Sequence, residues 1–360
     1  MWGFILSLLL ATGITPLIIY GYKKLGWIDN PDQRTHIKHT HQDAVPRGGG
    51  LVIILSVLIT TGCLLTFDKY LIAILSGAII LALVGTLDDI FDISPYIRIG
   101  TGLLASLIVV GAGIGIAYVS NPFGSGVIPL DQPRLNFFFA GEWRQIWLLS
   151  SLFAIFFINW NMNIVNWAKG VDGQLPGFVS VAAIMIGLLS HNFHDVPTQF
   201  TTATLSFIVA GAFAGLLIWN WYPQKIMPGY GAGSLAGFFL SILAILSGAK
   251  VATTLMVLAI PTADGIFTIG RRILAGKSPF WGDRGHLHHK LMDVFGWGRR
   301  RIAIFYWLSS AVLGILSLYL DTFGKIITLG LTLVFVFGFL IYAKSKTNSH
   351  LHPRSGSSTT

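Results

Sequence analysis

The chain has 360 residues, 53% hydrophobic and only 11% charged, against about 25% charged in a typical soluble domain, which excludes a water-soluble globular protein. Lys and Arg number 24 against 15 Asp and Glu, a formal charge of +9, and the lone Cys63 rules out an intramolecular disulfide or a cysteine-based zinc site. An excess of that size points to nucleic acid, anionic lipid or a phosphorylated substrate, and its position along the chain decides among them.

A membrane-spanning helix needs roughly 20 mostly apolar residues. Eleven stretches qualify: 2–22, 49–67, 70–87, 99–118, 146–163, 174–190, 201–220, 234–249, 251–270, 302–320 and 323–343. The first is preceded by nothing basic and followed by Lys23 and Lys24, so it reads as a retained span and not a cleaved leader. Counting loops alternately from an outside N-terminus puts 19 of the 24 basic residues inside, and only Lys69, Arg134, Arg144, Lys250 and Lys325 outside. This is the positive-inside pattern. The expectation is an all-α polytopic integral membrane protein of about 11 helices, with the N-terminus outside and the C-terminus cytosolic. Residues 119–145, rich in Gly and Pro, read as a short hairpin or loop on the outer side. Residues 1–345 form one membrane domain, and the polar segment 346–360 reads as a disordered tail.

The spans are almost free of ionisable residues, which argues against a transporter with polar groups at mid-membrane. Asp264 is the main exception, seven residues before Arg271 and near the inner end of its helix. Polar chemistry concentrates in five inside loops, so an active site belongs at the cytosolic membrane surface.

In the first loop His36, His39 and His41 have metal-like spacing without companion ligands; a solvated basic loop explains them equally well. Arg47 before Gly48-Gly49-Gly50 suits phosphate and close backbone approach, although a plain helix-entry turn would look similar. In LDDIFD, Asp88, Asp89 and Asp92 end an apolar helix, where acids oppose the helix dipole. Asp88 and Asp92 would share a helix face, either for magnesium or proton chemistry or as an acidic cap paired with Arg98. In NIVNWAKGVDG, Asn163, Asn166, Lys169 and Asp172 recur every three residues, giving one polar stripe before Gly170 and Gly173 break the helix. The Gly-rich GYGAGSLAG precedes a helix expected from Ser234, whose N-terminus could receive phosphate; close helix packing would use the same glycines. The last loop groups Arg271, Arg272, Lys277, Asp283, Arg284 and Lys290 with His286, His288 and His289, a set suited to phosphate and nucleotide more than to zinc.

Together the stretches PRGGG, LDDIFD, NIVNWAKGVDG, GAGSLAG and RRILAGKSPFWGDRGHLHHKL resemble the polyprenyl-phosphate N-acetylhexosamine-1-phosphate transferase family, glycosyltransferase family 4. The likeness spans residues 1–345, and its histidine motif resembles the bacterial undecaprenyl-phosphate GlcNAc-1-phosphate branch more than the MurNAc-pentapeptide branch. The resemblance implies transfer of a sugar 1-phosphate, GlcNAc foremost, from a UDP-N-acetylhexosamine to a polyprenyl phosphate in the lipid bilayer, releasing UMP. It implies a bacterial plasma-membrane enzyme with a cytoplasmic active face and Mg2+ as cofactor. Nucleic acid is not an expected partner, and a homodimer is left open. Carried over by residue, Asp88, Asp89, Asp172 and His286 are catalytic. Arg47, Asn163, Asn166, Lys169, Gly170, Arg271, Arg272, Asp283, Arg284, His288 and His289 bind substrate, and Asn166 and Asp89 are the metal candidates.

Two positions depart from the family pattern. Lys169 stands where the family commonly has an acid, and Gly231, or Tyr230 in a different local register, stands where it has a magnesium-ligating aspartate. The expected consequence is a weak or absent metal dependence, with the ammonium standing in for part of the metal's charge. The alternative is a catalytically silent homologue that binds lipid phosphate or nucleotide.

Overall fold

The computed structural model describes residues 1–29, 44–121, 124, 126–139, 141–191, 197–247, 250–278 and 284–351. Helices dominate them. Helix α1 (Trp2–Lys24) leads through the short pair β1 (Ile28–Asp29) and β2 (Val45–Pro46) into α2 (Gly49–Leu64), α3 (Lys69–Phe91) and α4 (Pro95–Gly111). Two antiparallel hairpins follow, β3 (Tyr118–Ser120) with β4 (Val127–Pro129) and β5 (Arg134–Phe139) with β6 (Glu142–Trp147). Then come α5 (Leu148–Trp167), α6 (Gln174–His191), α7 (Pro197–Asn220), α8 (Gly229–Leu246), α9 (Lys250–Val257), α10 (Ala259–Leu274), α11 (Leu287–Asp293), α12 (Arg299–Tyr319) and α13 (Thr322–Leu351).

Among the described residues, eight helices are long and apolar enough to cross a membrane: α1, α3, α5, α6, α7, α8, α12 and α13. Three expected spans differ from that form. Helices α2 and α4 have 16 and 17 residues, short of a full crossing. The stretch 251–270 is two helices, α9 and α10, bent by 84° at Leu258. Pro261 accounts for the bend, because it has no N–H to offer the Val257 carbonyl and its ring would collide with that oxygen in a straight helix. The freed carbonyl accepts instead from Ser310 Oγ of α12 at 2.6 Å. The all-α expectation also needs amending at 118–147, where one short hairpin was expected and two form, their turns passing through Gly126 and Gly141 at positive φ. Helix α13 continues to Leu351, into the segment expected as tail; residues 352–360 lie outside the described residues.

Helix α8 is the axis of the bundle. In its apolar window 83% of residues are buried, against 22% for α1 and 17% for α13, which face outward. It packs on α3, α5 and α2. The approach is close enough to exclude side chains at the crossing with α2 and α3. A Cβ at Gly85 would lie 2.5 Å from Gly231 Cα, and one at Gly50 would lie 2.8 Å from the same atom. Some hydroxyls inside the bundle turn back on their own helices, as Ser56 does on the Val52 carbonyl and Ser241 on that of Gly237, which satisfies their polar hydrogens.

The glycine crossing sets a stability test. Gly85→Val overpacks a backbone contact that has no side chain to yield, a change costing about 1–3 kcal/mol or more. Thermal unfolding in detergent should show a clear loss for this variant. Gly13→Ala, placed where nothing lies within 4 Å, should unfold like the parent.

Candidate active site

The C-terminal end of α3 is folded back by its own acids. Asp92 caps the helix in the left-handed region (φ 52°), which a short polar side chain tolerates. Ser94 then caps α4, with Pro95 in its first turn. The reversal returns Arg98 to the acids: its Nε lies 2.7 Å from Asp88 Oδ1 and its Nη2 lies 3.0 Å from Asp92 Oδ1. The helix ends at Phe91, so the helical face expected for Asp88 and Asp92 if it continued does not form; the acidic cap paired with Arg98 is what appears, one guanidinium offsetting two acids at a helix C-terminus.

Asp89 points the other way, into the bundle. Its Oδ1 accepts from the Tyr230 amide at 2.6 Å and its Oδ2 from the Gly231 amide at 3.2 Å. Helix α8 thus begins at Gly229, five residues before the expected start, and its first amides hold a carboxylate of the protein itself instead of a substrate phosphate. The PRGGG stretch is bonded to the same loop, with Met227 N donating to the Pro46 carbonyl at 2.8 Å and Gly49 N to the Met227 carbonyl at 3.0 Å. That fixes Arg47, which pairs with buried Asp29.

Helix α5 ends at Trp167, earlier than the three-residue periodicity implied. Asn163 and Asn166 are helical, whereas Lys169 and Asp172 lie beyond the helix in the following loop, so the single stripe divides. Asn163 spends its amide on the Asn159 carbonyl at 2.8 Å. The Asn166 Oδ1 is buried with no partner among the described residues, against the backbone of Gly233. The Lys169 ammonium lies 5.9 Å from the Tyr230 ring centre, within the field of Asp89, Asp88, Arg47 and Arg98. Burial lowers its pKa to about 8; Asp89 opposes that and Arg47 adds to it. Asp172 goes elsewhere. It is buried, accepts from Gln224 N at 3.3 Å and faces Arg299 at 3.7 Å.

The histidine motif is organised by Asp264. Its Oδ1 accepts from Leu287 N at 2.8 Å, anchoring the start of α11, and its Oδ2 lies 2.9 Å from His286 Nδ1. The Arg272 guanidinium stands 3.4 Å from His286 Nε2 and 5.7 Å from the Trp167 ring centre. Because Arg272 can only donate, the neutral ring carries its proton on Nδ1, toward Asp264. His288 stacks on His286 with ring centres 5.7 Å apart and 5° between planes. Its other side meets Gly170, where any Cβ would collide with the imidazole at 1.9 Å. This contact joins the histidine motif to the loop carrying Lys169. Arg271 lies against Gly285, while Arg284 makes a two-pronged pair with Asp293. Asp283 and His36, His39 and His41 lie outside the described residues.

Two participants, Arg299 and Tyr230, were given no role from sequence, whereas Asp264 was singled out but not assigned to the site. Asp264 carried a signal, being an acid in an apolar span. Arg299 was hidden in a basic run that topology alone explains. Tyr230 offered no signal at all.

A magnesium ion needs oxygen ligands converging on one point. Among the described residues no three His, Cys, Asp or Glu side chains are grouped to hold a metal. Both Asp89 oxygens are bonded to amides and Asp88 is paired with Arg98, so neither Asp89 nor Asn166 has the company a metal ligand requires. The described residues do not fit the ion.

The histidines make a pH test. Burial, with neighbouring His289 and His286, holds His288 well below the ordinary imidazole value. Burial, then Arg284 and His286, brings His289 down to about 4. Between pH 6.5 and 4 the unfolded chain takes up protons that these folded rings refuse, so stability present above 6.5 is lost as the pH falls. The slope is at most about 1.4 kcal/mol per pH unit for each ring. Melting temperature should fall between about pH 6.5 and 4.5, and His289→Gln should make that fall shallower.

The sequence profile of glycosyl transferase family 4 matches residues 71–248, from α3 to the end of α8. The chain is 27% identical, over 94% of its length and 89% of the relative's, to the probable undecaprenyl-phosphate N-acetylglucosaminyl 1-phosphate transferase of Bacillus subtilis. It is 29% identical to the undecaprenyl-phosphate alpha-N-acetylglucosaminyl 1-phosphate transferase of Escherichia coli K12, over 89% of this chain and 84% of that one. It is also 25% identical to the phospho-N-acetylmuramoyl-pentapeptide-transferase of B. subtilis, over 89% and 96%. The chain is thus similar to glycosyl transferase family 4 over residues 71–248 and, over most of its length, to polyprenyl-phosphate hexosamine-1-phosphate transferases.

Proposed function

We propose that the protein transfers N-acetylglucosamine 1-phosphate from UDP-GlcNAc to a polyprenyl phosphate, releasing UMP, at the cytoplasmic face of a bacterial plasma membrane. The observation that carries this reading is the contact of His288 with Gly170. It joins the histidine motif to the Lys169 loop, and Lys169 in turn lies beside the acids of α3 and the start of α8. Four separated segments thereby line one cation-rich site. The relatives' names support the reaction class, and the histidine motif favours GlcNAc over the muramoyl-pentapeptide donor.

In this mechanism an oxygen of the lipid phosphate attacks the β-phosphorus of the UDP-sugar in line. A phosphate monoester is already largely ionised at neutral pH, so Asp88 and Arg98 act by positioning more than by removing a proton. The bond from the β-phosphorus to the bridging oxygen breaks, and UMP departs with the electron pair. Arg47, Lys169, Arg272 and His286 offer charge and hydrogen bonds to the phosphates, where such preorganised donors contribute most. Eleven membrane segments with an outside N-terminus would put all of the +9 excess on the cytosolic side, facing lipid phosphate and nucleotide. The product would be the first membrane-bound intermediate of a cell-wall or surface glycan.

A second reading, a silent homologue that binds without turnover, is favoured by the engagement of Asp88 and Asp89 within the protein. Purified protein with radiolabelled UDP-GlcNAc and undecaprenyl phosphate separates the two. The expected result is UMP with a labelled lipid product, reduced about 100-fold or more in Asp88→Asn and His286→Ala. Nucleotide binding with no lipid product under any condition would leave the silent reading.

A further inference from the structure

We propose that the Lys169 ammonium is the resident cation of the phosphate site, bound to the UDP-sugar diphosphate in place of a divalent metal, so that sugar phosphate transfer proceeds without one. The inference rests on the transferase reading above and deepens it.

The first support is the state of the carboxylates. A metal taken up at Asp89 would have to displace the Tyr230 and Gly231 amides at 2.6 and 3.2 Å, and would uncap the helix on which the bundle is packed. Asp88 would have to leave Arg98. Among the described residues no three His, Cys, Asp or Glu side chains are grouped to repay those losses, and Asp92 is itself paired with Arg98. The second support is the room at position 231. A Cβ there would lie 3.2 Å from Gly50 Cα and 3.4 Å from Asp89 Oδ2. An aspartate at this position, as in the family pattern, would press on a backbone and stand beside a carboxylate of like charge. Glycine is therefore part of this chain's packing.

The third support is the charge balance. In the family pattern two carboxylates at these positions and a dication sum to zero, whereas a lysine and a glycine carry one positive charge. The net charge offered to an incoming diphosphate is thus at least as favourable without a metal. Lys169 is also well placed. The ammonium lies 5.9 Å from the Tyr230 ring centre with Asp89 and Asp88 within its field, and the adjacent Gly170 meets His288, so the loop that carries it joins the acids of α3 to the histidine motif. As the lipid phosphate oxygen bonds to the β-phosphorus and the bridging oxygen leaves on UMP, the ammonium donates hydrogen bonds to the diphosphate oxygens. It transfers no net proton.

The test measures three things on the purified full-length protein. Product formation from UDP-GlcNAc and undecaprenyl phosphate in EDTA should lie within about twofold of that in magnesium. Lys169→Ala should lower it about 100-fold or more, with no rescue by magnesium, while Lys169→Arg should lose less than Lys169→Ala. Calorimetric affinity for UDP-GlcNAc should be unchanged by EDTA and weakened about 10-fold or more in Lys169→Ala, and Mn2+ titration followed by EPR should detect no tightly bound ion. A monodisperse elution profile and a parental melting temperature qualify each variant. Activity that disappears in EDTA and returns with magnesium overturns the inference and leaves the transferase standing. Metal-independent, Lys169-dependent nucleotide binding without turnover overturns the transferase and leaves the cation. Nucleotide binding that requires metal, that ignores Lys169, or that fails altogether overturns the inference.

Discussion

The arrangement depends on one carboxylate seated on the first turn of one helix. Asp89 ends its own helix, where an acid is unfavourably placed, and is held by the amides that begin α8, where an acid is welcome. The bond is made only because α2, α3 and α8 meet through glycines, with the backbones of Gly50, Gly85 and Gly231 in direct approach. Packing and electrostatics are thus the same feature. The glycines bring the helices close, and closeness lets a buried acid find two donors without water.

From that anchor the cations are arranged outward. Arg98 is held by Asp88 and Asp92, Arg47 by Asp29, and Arg272 stands between Trp167 and His286. Lys169 has neighbours of both signs and no close carboxylate clasp of that kind. Positive charge is therefore mostly pre-positioned by acids too engaged to bind metal. Such a site needs little rearrangement to receive a diphosphate, which is the condition under which electrostatic stabilisation is most effective.

Much of this was legible in the residues themselves. Acids, amides and histidines contrast with the apolar helix ends beside them, and so LDDIFD and GHLHHK stood out. Hydropathy found a helix for each long apolar stretch, but it is blind to geometry. It read 251–270 as one rod because Pro261 is apolar enough to pass, and what bends the chain is the missing N–H. Periodicity likewise extended the polar stripe past Trp167 to Asp172, which in fact faces Arg299 across the bundle. The use of Gly231 could not be read from its neighbours, since the backbone it makes room for lies some 140 or more residues earlier in the chain.

The elbow at Leu258 gives the active site a mechanical connection to the opposite part of the bundle. Beyond it, α10 carries Asp264 and Arg272, and through them the pose of His286; behind it, a single hydroxyl from α12 holds the open carbonyl. The Leu258 and Thr262 amides also bridge the elbow, donating to the Thr254 and Leu258 carbonyls, so the corner is braced and moves with the helices packed on it. Tilting of α12, by bilayer thickness or by a neighbouring protein, would load the hinge directly, and the arm of α10 would convert that load into rotation of the histidine cluster. The imidazoles would then respond to the state of the membrane.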